Sequence, residues 1–273
     1  MTLIVSGIHK HQAFLAIDSR LSDSSGPVEE DAIKCAHIVC SEGKLLLGFT
    51  GLAEINDDPT MNWVLKQLSE VELGKMTANQ TLEFIAKKLT YYFQQTFYRR
   101  PPRLIITASG WLDGKSRHPK LASVANCLDD RGNYRELGEF AFNIIGYAIP
   151  SHGASLVILG DLSATHGSEY KKTKKRVMKL LNKNTNTLDE IILDEMIQLI
   201  TEASYDPAST TINARVKASR MDRKKEGIIY KTIPEESNYS LPGFSTPSMI
   251  VSGITVRNDF VENGTTVIGG FHR

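Results

Sequence analysis

Dense apolar runs and helically spaced apolar positions succeed one another along this chain, and their order sets the expected fold. Residues 3–8 form an apolar run with β-branched members, residues 13–17 a second, and the polar His9-Lys10-His11-Gln12 turns between them. Residues 22–27 are dense in breakers and read as a loop. Residues 33–39 and 44–49 then make a hairpin around Ser41-Glu42-Gly43. Met61, Val64, Leu65 and Leu68 fall at helical spacing, as do Leu82, Ile85, Leu89 and Phe93 after Thr77 as N-cap. Arg99-Arg100-Pro101-Pro102 ends that second helix, because proline cannot continue it. Strands return at 104–107, 140–145 and 155–159. A second helical pair follows, one member from Ser168 through Val177, Leu180 and Leu181, the other carrying Ile192, Met196, Leu199 and Ala203. Strands at 212–216, 228–230 and 249–256 close the chain. Short, continuously apolar strands imply sheets covered on both faces. Segregated runs of strands and helix pairs predict an α+β layered sandwich, sheets inside and helices outside.

Composition narrows the class. The 273 residues, with no internal repeat and no low-complexity linker, are read as a single domain over 1–273. A net charge of +1 argues against a dedicated nucleic-acid binder. No apolar run approaches the roughly 18 residues needed to cross a bilayer, so no membrane partner is expected. The first residues have no basic stretch ahead of the apolar run and do not read as a signal peptide. Cys35, Cys40 and Cys127 form an odd, sparse set that suits buried thiols in a reducing cytoplasm, and the first two should face opposite sides of an extended segment. The seven histidines show no metal spacing and no phosphate-binding glycine loop is present, so neither metal nor cofactor is expected. The basic run 171–176 reads as a solvated helix face.

The candidate chemistry lies at fixed intervals from Thr2. Asp18 ends the second apolar run, sixteen residues on, and Lys34 opens the next strand, thirty-two residues on. Gly51 closes Leu47-Gly48-Phe49-Thr50-Gly51, and Asp206-Pro207-Ala208-Ser209 follows the last helix. This pattern resembles the proteasome β subunits and their bacterial ATP-dependent relative, the N-terminal nucleophile (Ntn) hydrolases of proteasome type. In that family a threonine begins the mature chain, and an Asp and a Lys stand at those same intervals. Ala16-Ile17-Asp18-Ser19-Arg20 is similar to the family's Ala-x-Asp-Ser-Arg, and Asp206 and Ser209 to its later Asp-x-x-Ser. The resemblance covers residues 2–216 in element order; 217–273 run beyond it.

The resemblance implies a four-layer αββα Ntn-hydrolase sandwich and a threonine peptidase. Thr2, freed by removal of Met1, would attack the carbonyl, with its own α-amine as base. An α-amine, with a reference pKa of about 7.7–8.0, is partly neutral near pH 7 and suits that task. Lys34 would lower the amine and hydroxyl pKa values, Asp18 would pair with Lys34, Gly51 N–H would hold the oxyanion, and Asp206 and Ser209 would hold the amine. Arg20 and Phe49 are the substrate-binding candidates, Phe49 where the family lines its first specificity pocket, with core packing as the equal alternative. Implied partners are a peptide or protein substrate, further copies in a ring, and an ATPase regulator. One position departs from the family. Its Gly-Ser-Gly before the third helix is matched to Gly146-Tyr147, with Tyr147 in place of the serine and Ser151 or Ser155 as alternatives. The rival functions are a non-peptide amidase and a non-catalytic structural subunit, the latter disfavoured because Met1 alone precedes Thr2 in this sequence.

Overall fold

The computed structural model describes residues 2–23, 26–29, 32–97, 101–113, 118–129, 133–148, 153–162, 166–183, 188–207, 209, 211–223, 228–233, 248–251, 254–256 and 265–267. The chain opens with strands β1 (Leu3–His9), β2 (Gln12–Asp18), β3 (Leu21–Asp23), β4 (Gly26–Glu29), β5 (Cys35–Cys40), β6 (Gly43–Gly51), β7 (Glu54–Ile55) and β8 (Asp58–Pro59). Helices α1 (Thr60–Ser69) and α2 (Ala78–Thr96) follow, then β9 (Leu104–Trp111), β10 (Lys120–Ala125), β11 (Ala141–Tyr147) and β12 (Ser155–Gly160). Helices α3 (Ser168–Asn182) and α4 (Asp189–Ser204) precede β13 (Val216–Asp222), β14 (Ile228–Ile233), β15 (Ser248–Val251), β16 (Ile254–Val256) and β17 (Thr265–Val267).

Two sheets organise these strands. One runs β12-β1-β2-β13-β14-β17 and the other β11-β10-β9-β6-β5-β15-β16. All pairings are antiparallel except β15 on β5. Side chains alternate across each strand, so one strand serves two environments. Leu3 and Val5 of β1 pack with Ile192, Met196 and Leu199 of α4, whereas Ile4 and Ile8 of the same strand meet Leu46, Trp111 and Leu121 of the other sheet. Leu45, Leu47 and Phe49 of β6 pack with Leu82, Ile85 and Leu89 of α2. Every residue of β1 and β2 is buried, which explains why these runs are continuously apolar. Cys35 and Cys40 fall in different core clusters, on opposite faces of β5, and all three thiols are free.

These elements correct the expectation of a four-layer αββα Ntn-hydrolase sandwich. The described residues show a mixed strand-and-helix fold with four α-helices, and that family-specific arrangement is not shown. Each main sheet interleaves strands from both ends of the chain, and two small ribbons, β3–β4 and β7–β8, stand apart from both. The order of runs along a sequence does not fix which strands become neighbours. Local assignments shift as well. The expected loop at 22–27 carries the ends of β3 and β4. The expected strand at 212–216 begins only at Val216, because Asn213 Oδ1 and the Arg215 carbonyl accept from Ser19 N–H and hold that stretch as a clasp on the end of β2. No helix among the described residues is long and apolar enough to cross a membrane.

Candidate active site

Thr2, Asp18 and Lys34 converge although they leave the chain at separate strand ends. Thr2 precedes β1, Asp18 ends the antiparallel partner β2, and Lys34 precedes β5 of the other sheet. Because β1 and β2 form a hairpin, Asp18 returns to the strand end where Thr2 sits, and its Oδ1 accepts from Leu3 N–H at 3.2 Å. Lys34 Nζ donates to Thr2 Oγ1 at 2.5 Å and to Asp18 Oδ1 at 3.3 Å. The Arg20 carbonyl accepts a further bond from the same ammonium. Asp18 and Lys34 are both fully buried and Thr2 is 4% exposed. An enclosed ion pair of this kind gains little net stability, whereas removal of either partner strands the other charge.

Burial pushes the Lys34 ammonium below its ordinary range; Asp18 opposes that, while Lys217 and Arg20 add to it. Burial likewise pushes the Asp18 carboxyl up to about 6, against the pull of Lys34 and the hydrogen bond from Leu3. Lys217 of β13 is itself buried and donates to the Ala32 carbonyl at 3.2 Å, two residues before Lys34. Lys34 thus sits at the end of β2 in a medium that favours loss of its charge.

Three features beyond the sequence candidates hold Thr2. The Thr50 hydroxyl accepts from Thr2 N–H at 3.2 Å and donates to Thr2 C=O at 2.9 Å. Asp161 N–H donates to the same carbonyl at 3.0 Å, and its Oδ2 accepts from Thr211 Oγ1 at 2.5 Å. Gly160, at φ +109°, lies so close beneath that a Cβ there would overlap the Thr2 carbonyl oxygen. Gly160 and Asp161 stand at the end of the strand that leads into the third helix. Sequence matching had placed that junction one strand earlier, at Gly146-Tyr147. The structure puts Tyr147, half-exposed, at the end of β11, where its carbonyl accepts from Ser155 Oγ at 2.7 Å. Ser155 pairs with Ile8 and Gly160 with Leu3, so Ser155 sits about 17 Å along the strand from the Thr2 end. Ser151 lies outside the described residues.

The remaining candidates make other contacts. Gly51 has φ +111°, and a Cβ there would overlap the Arg103 carbonyl, so glycine is required where β6 meets β9. With Thr50 and Gly160 it lines a cavity of about 110 Å³. Arg20 Nη1 donates to the Ile212 carbonyl at 3.4 Å. Phe49 is buried in the core cluster with α2, and its N–H donates to the Lys34 carbonyl at 3.2 Å. Asp206 and Ser209 follow α4, with Ser209 N–H donating to the Asp206 carbonyl at 2.8 Å. The Ser209 hydroxyl is enclosed without a hydrogen-bond partner among the described residues. Met1 lies outside the described residues. Among the described residues no group of three or more His, Cys, Asp or Glu side chains is arranged to hold a metal ion.

No protein-family model matches the sequence, and no curated protein matches it either. Solved structures do. An Anbu (Gly-1) mutant from Hyphomicrobium sp. strain MC1 superposes with a TM-score of 0.56 at 11% identity, over 88% of this chain and 90% of that one. Anbu (ancestral beta-subunit) from Yersinia bercovieri gives 0.57 at 12% identity, over 86% and 88%. Anbu from Pseudomonas aeruginosa, solved as a helical assembly, gives 0.56 at 12% identity, over 86% and 88%. These neighbours correct the family suggested by the sequence. They are proteasome-like but distinct from the proteasome β subunits and the bacterial ATP-dependent protease subunit, and at such identity the likeness shows the fold alone, not an established Ntn hydrolase.

Proposed function

We propose that this chain is a proteasome-like hydrolase that cleaves peptide amide bonds with Thr2 as the nucleophile. The observation that carries the reading is the buried contact between Lys34 Nζ and Thr2 Oγ1 at 2.5 Å, with Asp18 as the counter-charge. A threonine hydroxyl needs activation, and an adjacent cation in a dry site lowers the energy of the alkoxide. Once Met1 is removed, the nitrogen now bonded to Thr50 becomes an α-amine beside the hydroxyl and takes its proton. Attack on the substrate carbonyl forms a tetrahedral oxyanion held by Gly51 N–H; collapse leaves an acyl-threonine and protonates the leaving amine. Water, deprotonated by the same amine, then releases the acid. Asp206 and Ser209 serve to orient the amine. Thr50 and Asp161, which already grip the Thr2 backbone, fix its position relative to Lys34. The substrate is a peptide or unfolded protein. By likeness to the helically assembled Anbu complex, the chain is proposed to self-associate.

Intact mass and N-terminal sequencing of the purified chain, followed by peptide hydrolysis assays, test the reading. Thr2 should be the first residue, and Thr2→Ala and Lys34→Ala should each lower kcat by at least about a hundredfold while the far-UV circular dichroism stays unchanged. Retention of Met1 in every molecule, or full turnover by Lys34→Ala, would overturn it. Sedimentation of the same preparation reports the assembly.

A further inference from the structure

The cavity of about 110 Å³ beside Thr2 has a distinctive wall. Thr50 and Gly160 abut the Thr2 backbone, the Tyr134 hydroxyl donates to the Gly160 carbonyl at 3.3 Å, and the Arg103 carbonyl lies against Gly51. Arg103 is the only charged side chain among the described residues that line it. Its field reaches the neighbouring groups: burial pushes the Cys127 thiol and the Tyr134 phenol up, and the Arg103 cation pulls both back. At neutral pH the cavity therefore presents one cation among neutral groups. Its size suits a short side chain.

Arg103 and Cys127 also line a second cavity of about 460 Å³, so the two adjoin at the arginine. Phe93, Phe97 and Phe140 wall this larger space, and Glu136 and Glu139 line it but not the smaller one. The carboxylates of Glu136 and Glu139 therefore line the larger cavity, and the exposed Arg103 stands where the two adjoin. An anionic group is drawn toward Arg103 and away from Glu136 and Glu139.

From this arrangement we infer that Arg103 makes the smaller cavity a subsite for an acidic side chain, so that the chain prefers peptides with Glu or Asp flanking the cleaved bond. The inference rests on Thr2 as the nucleophile. A carboxylate seated there accepts hydrogen bonds from the guanidinium fork, while its short stem meets Ile105 and Cys127. Arg103 is a specificity-determining residue and takes no part in bond making.

The test compares hydrolysis of blocked peptides carrying Glu, Gln or Lys on either side of the scissile bond, by the full chain and by Arg103→Gln, Arg103→Glu and Arg103→Lys, with Thr2→Ala as control. Glu substrates should exceed Gln in kcat/KM by roughly tenfold, the difference expected for one charge-assisted contact. Arg103→Gln should erase the preference, Arg103→Glu should turn it toward Lys, and Arg103→Lys, which keeps the charge and guards against a folding artefact, should retain part of it. Thr2-dependent hydrolysis without a preference for Glu, or with a preference that survives Arg103→Gln, overturns the subsite and leaves the nucleophile standing. If no substrate is cleaved in a Thr2-dependent way, the nucleophile reading falls. The subsite is then decided by binding of acetyl-Glu-amide against acetyl-Gln-amide, followed by NMR on the full chain. Stronger binding of the Glu compound that is lost in Arg103→Gln supports it, and equal binding overturns it.

Discussion

Asp18 carries the pH dependence expected of the site. Burial raises its carboxyl from 3.8 to about 6, so between those values the folded chain holds a proton that the unfolded chain has released. The stability from this group is fully present below about 3.8 and is lost as pH rises through about 6, where the buried carboxylate must be sustained. Activity runs the other way, because Lys34 needs the ionised partner. We predict that kcat/KM falls on the acid side with a midpoint near 6, and a profile flat from pH 5 to 8 would contradict it. Asp18→Asn, fixed in the neutral form, should remove this limb and hold kcat/KM at its low acid-side level across the range. The proximity of Thr2, Asp18 and Lys34 was legible because their intervals place them at strand ends that a hairpin and a sheet-to-sheet step bring together. Thr50 and Asp161 were not. Each acts on Thr2 backbone atoms, and such contacts leave no residue-type signature.

At the level of single elements, local chemistry was readable wherever it was self-contained. Thr77 starts α2 with a reciprocal cap: its Oγ1 accepts from Gln80 N–H at 3.2 Å, and Gln80 Oε1 accepts from Thr77 N–H at 2.8 Å. Thr77→Ala should lower the unfolding free energy by about 1 kcal/mol in urea titration, with unchanged activity; an unaltered midpoint would show the cap to be idle. The apolar stripe of Leu82, Ile85, Leu89 and Phe93 gave the same helix independently. Strand β10 escaped notice. Its small residues Ala122, Ser123 and Ala125 carry little hydrophobic signal, and it is defined by pairing with β9 and β11 on either side. A strand recognised by its neighbours cannot be read from its own composition.

The whole molecule depends on pairings distant in sequence. Residues beyond 216 supply β13 and β14 to one sheet and lay β15 along β5 in the other. Apolar periodicity does not encode such partnerships, which is why the layer architecture and the family were both misassigned while most individual elements were found. Matching a few intervals places a cluster of side chains but does not fix the family. Ending the chain after Asp222 would strip β14 from β13 and β15 from β5, exposing an edge on each sheet. The shortened protein should melt at lower temperature and aggregate on size-exclusion chromatography, whereas a monodisperse product with the full-length melting temperature would show that the last fifty-one residues, 223–273, are dispensable.

Gly160 also bears on how this site can change over time. Any other residue would add a carbon where the Thr2 carbonyl already sits, on a backbone turned to φ +109°. Point substitution therefore has no route through this position that leaves Thr2 in place. New variants of the floor beneath Thr2 can arise only if β12 moves as a unit, through an inserted or deleted residue that re-registers it against β1. Length differences between Ala148 and Gly160, more than residue swaps at the strand end, are where diversity among chains of this design should accumulate.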